Sequence, residues 1–363
     1  MSKLLETIAA VVPPDADAMR FARARQSQLT KPTGSLGRLE DLSVQLAGIS
    51  RSLRPRVEER AIVVMAADHG VAKEGVSAYP QEVTAQMVLN FVRGGAAINV
   101  LARQARARVV IVDMGVVPEL EPHPMILSRR QGAGTENLAA GPAMSREVAR
   151  SCIEVGIEVV EGEIAKGLDL VGTGDMGIGN TTASSAVVAA LTSARVRDVT
   201  GRGTGLDDHQ LAHKVAVIER ALEVNQPDPR DPLDVLAKVG GFEIGGLAGV
   251  ILGAAVHRVP IVIDGFISGA AALIATRLCP IARDYLIAAH SSVEIGHRVL
   301  LDRMELVPLL NLNLRLGEGT GAALAMHLVE AAARILSEMS TFAEAGVLDG
   351  EQPASEGVPG GNR

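Results

Sequence analysis

The chain has no tryptophan and only two tyrosines and five phenylalanines in 363 residues. It therefore lacks the aromatic platforms on which single-stranded nucleic acids stack. Cysteine is almost as scarce. Cys152 and Cys279 lie far apart and form no CxxC unit, so neither a zinc knuckle nor a disulfide framework is indicated. Positive charge is also short. A formal net charge of −7 removes any general drive toward polyanions or anionic membranes, so a phosphate site must be a local feature. No apolar run is long enough to span a bilayer, and the longest, residues 244–256, reads as a buried helix. Residues 1–13 carry one early lysine and an apolar run broken by Glu6, too weak for a secretory signal. The expectation is a soluble, cytoplasmic protein that engages neither membrane nor nucleic acid.

What the chain does have is Ala, Val, Leu and Ile. Hydrophobic residues make up 47% of it, enough core for a large α/β domain alone or with a small companion. Apolar runs at 62–67, 108–114, 168–171 and 260–265 read as strands, and 284–290 is a candidate for a last one. Helical patterns cover 13–28, 37–52, 82–104 (interrupted at Gly94 and Gly95), 145–166, 183–191, 208–225, 268–278, 292–301 and 319–339. Residues 118–142, with four prolines, read as an irregular excursion. Strands alternating with helices imply a mostly parallel sheet covered on both faces, with ligands at the strands' carboxyl ends.

The stretch 168–182, LDLVGTGDMGIGNTT, is an apolar run that breaks into four glycines and restarts as a helix. Such a turn brings backbone N–H groups and a helix N-terminus to an anion. Gly172, Gly174 and Gly177 spell G-x-G-x-x-G, the dinucleotide fingerprint. The acid that should follow some twenty residues later is poorly supplied: Asp198 sits in ARVRDVTGRG, a weak strand with two arginines. No Gly-Lys pair exists to make a Walker loop, and Asp113 has no second acid beside it for a magnesium–pyrophosphate site. His290 and His297 flank a helix start without an H-x-x-x-H spacing, and with Asp68 and His69 they read as polar residues closing strand ends rather than as metal ligands. In LRLGEGTG, residues 314–321, Glu318 stands between two glycines just before an apolar helix. It is either a carboxylate brought close to a ligand, its pKa raised by apolar neighbours to suit a general base, or a cap on that helix. Spacing leaves both readings open.

Eight stretches taken together are more specific. KPTGSLGRLE (31–40), ADHGV (67–71), EGVSAYPQEVTAQM (74–87), GDMGIGNTTAS (174–184), TGRGTGLDD (200–208), DGFISGAAAL (264–273), AAHSSVEIGH (288–297) and LRLGEGTGAALA (314–325) run in one order. In this the sequence resembles the nicotinate-nucleotide–dimethylbenzimidazole phosphoribosyltransferases of cobalamin biosynthesis. The resemblance implies displacement of nicotinate from nicotinate mononucleotide by 5,6-dimethylbenzimidazole, giving α-ribazole 5′-phosphate with inversion and needing neither metal nor cofactor.

It also implies roles for individual residues. Glu318 is the base; Tyr79, Gln86 and Leu316 belong to the substrate pocket; Gly177, Gly203 and Lys214 contact phosphate and ribose. Asp264, Gly265, Ser291 and Ser292 complete the nucleotide site. Asp175 stands where the family usually carries Glu, one methylene longer. The implied architecture is α/β: a large domain (59–320) with a mostly parallel, Rossmann-like sheet flanked by helices, and a small helical domain from both chain ends (1–58 and 321–346). A flexible tail (347–363) follows, and the family forms homodimers. A nucleotide-binding sensor without turnover is the non-enzyme alternative, against which the intact LGEGTG and SAYPQ loops stand.

Overall fold

The computed structural model describes residues 2–348 apart from residue 204. Three helices lead in: α1 (Lys3–Ala10), α2 (Ala16–Gln28) and α3 (Arg38–Ser50). Strand β1 (Arg60–Ala67) is followed by α4 (Val83–Arg93), α5 (Ala97–Gln104) and β2 (Ala107–Gly115), and then by β3 (Ile126–Ser128), α6 (Arg146–Ile164) and β4 (Leu170–Met176). Beyond these lie α7 (Asn180–Thr192), α8 (Val196–Val199), α9 (Asp208–Asn225), α10 (Pro232–Val239) and α11 (Phe242–Val256). The chain continues through β5 (Ile261–Ile263), α12 (Phe266–Leu278), β6 (Leu286–Ala288), α13 (Ile295–Met304), α14 (Thr320–Glu338) and α15 (Phe342–Ala345).

The strands form one six-stranded sheet in the order β3-β2-β1-β4-β5-β6, parallel at every pairing. The chain builds outward from β1 to β3, then returns to the other side of β1 with β4. In open parallel sheets a ligand site is expected at that reversal, beyond the carboxyl ends of the two central strands. Here those ends are Ala67 and Met176, and Ala66 pairs in register with Met176.

Both faces of the sheet are covered, which is why its strands read as continuous apolar runs. Along β1 the side chains alternate between two cores. Ala61, Val63 and Met65 join α6 and α11, whereas Ile62, Val64 and Ala66 join α3, α5 and α14. Beyond Glu243 in its first turn, helix α11 is apolar all round, as suits a helix buried on every side. It lies so close to α6 that a Cβ on Gly156 would overlap the carbonyl oxygen of Gly246, and one on Gly249 would overlap that of Ile153.

Several sequence expectations shift in detail. The pattern at 82–104 is two helices, because Gly94 turns left-handed at φ 76° and ends α4. The proline-rich excursion contains β3, three residues paired with the end of β2. Residues 1–13 contain α1, whose N-cap Ser2 accepts from the Leu5 amide. Within segment 1–58, α2 and α3 pack together and lie along α14, while α1 rests on α6 and α11. From residue 349 onward, the expected tail lies outside the described residues. No helix among them is long and apolar enough to cross a membrane.

The α6–α11 contact yields a paired prediction. Gly249→Ala should lower stability by about 1–3 kcal/mol, because backbone rather than a side-chain tip fills the space of its Cβ. Gly162→Ala, in α6 but with nothing within 4 Å of its Cβ position, should raise stability by about 0.5–1 kcal/mol. Denaturant unfolding midpoints of the two variants check both signs.

Candidate active site

The glycine loop after β4 does not work as its spelling suggests. Gly172 and Gly174 lie inside the strand, not in the turn that follows it. Gly172 faces Met326 and Ala322 of α14, and a Cβ on Gly174 would come within 2.5 Å of the Glu318 carbonyl oxygen. Gly177 abuts the Ala67 carbonyl at the end of β1. Side chains pack against Gly172 and neighbouring backbone against Gly174 and Gly177, whereas the dinucleotide fingerprint needs its glycines free to approach a pyrophosphate. Gly179, left-handed at φ 97°, turns the chain into α7, whose N-terminus has no side-chain cap.

Beside that N-terminus lies a buried ammonium. Lys214, on α9, is fully buried and donates to Thr181 Oγ1 at 2.8 Å and toward the Gly201 carbonyl at 3.4 Å. A Cβ on Gly203 would stand 3.2 Å from its Nζ, so glycine keeps that side of the ammonium clear of a side chain. Burial pushes the Lys214 pKa down to about 8, against the pull of the Glu294 carboxylate. An uncapped helix end, a buried cation and a glycine turn together suit one anionic group.

A cavity of roughly 500 Å³ opens here, over the carboxyl ends of β4, β5 and β6. Of the residues expected in the site, Tyr79, Asp175, Gly177, Gly203, Gly265, Ser292 and Leu316 line it. Lys214 sits behind Thr181 and Gly203 in its floor. Ser291 is half-buried beside Ser292, its amide bonded to the Leu310 carbonyl at 2.8 Å, and Gln86 is exposed on α4; neither is part of the lining. Asp264 is buried beneath the wall. Its carboxylate accepts from the Gly319 amide at 3.2 Å and the Ala322 amide at 3.0 Å, so it caps α14 from across the sheet.

That leaves Glu318 free of the capping task considered for it. Gly317, Glu318 and Gly319 are successively left-handed at φ 85°, 63° and 88°. For the glutamate this conformation costs about 1–2 kcal/mol. Its side chain is buried and Oε2 accepts from the Ile98 amide at 3.2 Å, at the start of α5. Burial raises the Glu318 pKa, the Ile98 hydrogen bond lowers it, and the Asp264 charge raises it again, for a net increase.

Asp175 lies alongside, its main-chain carbonyl accepting from the Glu318 amide at 3.2 Å. Its Oδ2 accepts from Asn180 at 3.0 Å, and among the described residues Oδ1 has no partner. Burial foremost, then the charges of Asp264 and Glu243, raise its pKa well above the usual carboxylate range. Beside His290, burial and the His290 charge push the His297 pKa down to about 3, and its Nδ1 accepts from the Ser292 amide at 3.0 Å. Among the described residues no group of three or more His, Cys, Asp or Glu side chains converges to hold a metal.

A family model described as "Phosphoribosyltransferase" matches residues 11–347. The nicotinate-nucleotide–dimethylbenzimidazole phosphoribosyltransferase of Roseiflexus sp. (strain RS-1) is 63% identical over 347 residues, covering 96% of this chain and 98% of the relative. The enzyme of that name from Desulforudis audaxviator is 61% identical over the same shares of the two chains. The chain belongs to this phosphoribosyltransferase family. Among solved structures, CobT from Thermus thermophilus superposes with a TM-score of 0.89 at 49% identity, covering 92% of this chain and all of that one.

In this member of the phosphoribosyltransferases, the sequence reading passed over several lining residues: Asn180, Thr181, His290 as a cavity wall, Glu294 and Arg315. Asn180 and Thr181 were readable in principle, because a helix restarting after a glycine loop presents its first residues to whatever the loop holds. Glu294 was hidden by a helix boundary. The sequence starts that helix at residue 292, but α13 begins at Ile295, which leaves 291–294 as a loop facing the cavity.

The buried ammonium makes a pH prediction. The free protein's Lys214 is charged below about pH 8 and loses its proton above it. Affinity for sulfate, a phosphate stand-in whose own charge is constant over this range, should therefore be flat below that point and fall about tenfold per pH unit beyond it. Calorimetric titrations between pH 6.5 and 9.5 check this, and Lys214→Met should abolish both the binding and its pH dependence.

Proposed function

We propose that this protein transfers the 5-phosphoribosyl group of nicotinate mononucleotide to 5,6-dimethylbenzimidazole. Nicotinate is released, and α-ribazole 5′-phosphate is formed for the lower ligand of cobalamin. Support comes from membership of the family and from one arrangement above all. A seat suited to a single phosphate (Lys214, Thr181 and the α7 N-terminus) borders a cavity whose wall holds Asp175 and Gly317, with Glu318 buried directly behind Gly317, and both carboxylates have raised pKa values.

The chemistry asks little of the protein. Nicotinate's ring nitrogen is cationic while bonded to ribose, so breaking the C1′–N bond returns the electron pair to that nitrogen and needs no acid. One benzimidazole nitrogen attacks C1′, and the proton on the other must leave. In this reading Glu318 takes that proton. Its raised pKa makes it a stronger base than an exposed glutamate, and the Ile98 amide and the three-residue left-handed turn hold it in one orientation. Lys214, Gly177 and Gly203 hold the phosphate; Gly265 and Ser292 line the ribose side, with Ser291 behind Ser292; and Asp264 acts through the α14 turn that it caps. Tyr79, Leu316 and Gln86 bound the acceptor, with Tyr79 and Leu316 more than half exposed at the cavity mouth. The helical unit of 1–58 and 321–346, a homodimeric state and a cytoplasmic location belong to the same proposal, as does turnover without a cofactor.

Asp175 is the second candidate for the base, because it lines the cavity itself and its Oδ1 is unpartnered. Its shorter side chain, already engaged by Asn180, favours a supporting role.

Incubation with both substrates should give α-ribazole 5′-phosphate by mass spectrometry, and no product would overturn the reading. Glu318→Gln should lower kcat by about 10²–10⁴ with nicotinate mononucleotide binding retained, and Asp175→Asn should cost less; the reverse order would make Asp175 the base. Glu318 in the folded protein has a pKa above its unfolded value, so its charged form destabilises the fold as pH rises through the folded pKa. The Gln variant should accordingly melt higher than the parent at pH 7.5, and kcat/KM of the parent should fall on the acid side as Glu318 takes up its proton.

A further inference from the structure

Glu294 is the buried carboxylate in the cavity wall that the proposed reaction leaves without a task. It is 7% exposed and sits at the N-cap of α13, yet its side chain makes no capping hydrogen bond there. The carboxylate turns instead against the Gly201 turn, so closely that a Cβ on Gly201 would overlap Oε2. Among the described residues Oε2 is buried and has no hydrogen-bond partner. Glu294 stands between this cavity and a neighbouring one that Gly201 and Arg315 also line, and its charge bears on the Lys214 ammonium. A buried, unpartnered carboxylate oxygen carries a large desolvation cost, and a carboxylate can be satisfied only by donors.

Nicotinate mononucleotide brings few of these. Its phosphate dianion, its carboxylate and its ring nitrogen donate nothing, and its only hydrogen-bond donors are the ribose 2′- and 3′-hydroxyls. The one N–H of the benzimidazole is already claimed at the other end of the cavity, by Glu318. We infer that Glu294 is a specificity-determining residue that accepts hydrogen bonds from the ribose hydroxyls of the donor nucleotide and so selects ribose over deoxyribose. The inference rests on the transferase reading above. The glycine at 201 is then part of the device, because any side chain there would displace the carboxylate. Gly203 leaves the neighbouring phosphate seat open in the same way.

The test compares the unaltered protein with Glu294→Gln and Glu294→Asp on nicotinate mononucleotide and on its 2′-deoxy and 3′-deoxy analogues. Inorganic phosphate inhibition is measured in parallel. With the ribonucleotide, Glu294→Gln should lower kcat/KM about 10- to 100-fold, the scale of a hydrogen bond to a charged group. With the analogue lacking the engaged hydroxyl, the parent should already be slow by that factor, and the substitution should change it by less than about threefold. Glu294→Asp should recover part of the loss. The phosphate inhibition constant should stay within about twofold throughout.

An equal penalty on all three nucleotides would overturn the inference and point to the cationic pyridinium ring as the partner. A weakened phosphate constant would overturn it in favour of action through Lys214. Unchanged kinetics would overturn it outright. If the parent turns over none of the substrates, the functional reading fails and the inference fails with it; parental turnover combined with any of the other outcomes isolates the fault to Glu294.

Discussion

The cavity depends on a close backbone contact. The turn at 317–319 must lie directly on β4, and it can do so because Gly174 leaves room for the Glu318 carbonyl and amide. Asp264, from the end of β5, then holds that turn and the first amides of α14. Three consecutive left-handed residues follow from this fit, since an ordinary helical entry would carry the chain away from the strand. The strain in Glu318 is thus tied to its location. Where residue 318 is anchored over β4, its carboxylate is carried beside Asp175 and into contact with α5.

That anchoring concentrates negative charge. Burial raises the pKa values of Asp175, Asp264 and Glu318 alike, the charges of Asp264, Glu243 and Glu318 raise that of Asp175 further, and the Asp264 charge also raises that of Glu318. The cationic groups nearby are held apart from most of them. Lys214 is across the cavity at the anion seat, and His69, whose pKa burial lowers but Glu243 and Asp68 raise to a net increase, is sealed beneath the glycine loop and bonded to Glu243 at 2.7 Å. Charges laid out this way are poorly compensated by the protein alone. A substrate with a phosphate at one end and a cationic heterocycle at the other supplies the complementary charges, so binding free energy and catalytic geometry arise from the same layout.

Much of this was readable before any coordinates. The β-branched runs became strands, the acids after them fell at the carboxyl ends, and the glycines flanking Glu318 marked it as unusual. The limits were equally physical. Strand order follows from how crossovers pack, which no local pattern carries. It was therefore the sheet that located the reversal at β1 and β4. A glycine's spelling does not say what approaches it: Gly172, Gly174 and Gly177 match a ligand-binding fingerprint but are pressed by α14, the 317–319 turn and β1. A boundary error of three residues at α13 was enough to conceal Glu294, because it moved a cavity-facing loop residue into a helix.

The two glycine-rich segments consequently exchange some of the meaning their sequences suggest. The first, 172–179, is largely a packing device whose last residues open α7 toward an anion. The second, 317–319, has the strained backbone that active sites tend to hold, and it presents a buried acid rather than a cradle of amides. A transferase whose leaving group needs no acid requires one fixed donor and one fixed base. Packing the turn that carries the proposed base onto the strand that leads to the proposed phosphate seat would supply both from a single contact. A Cβ at Gly174 would therefore displace the 317–319 turn and distort the strand that runs into the Gly177–Gly179 loop.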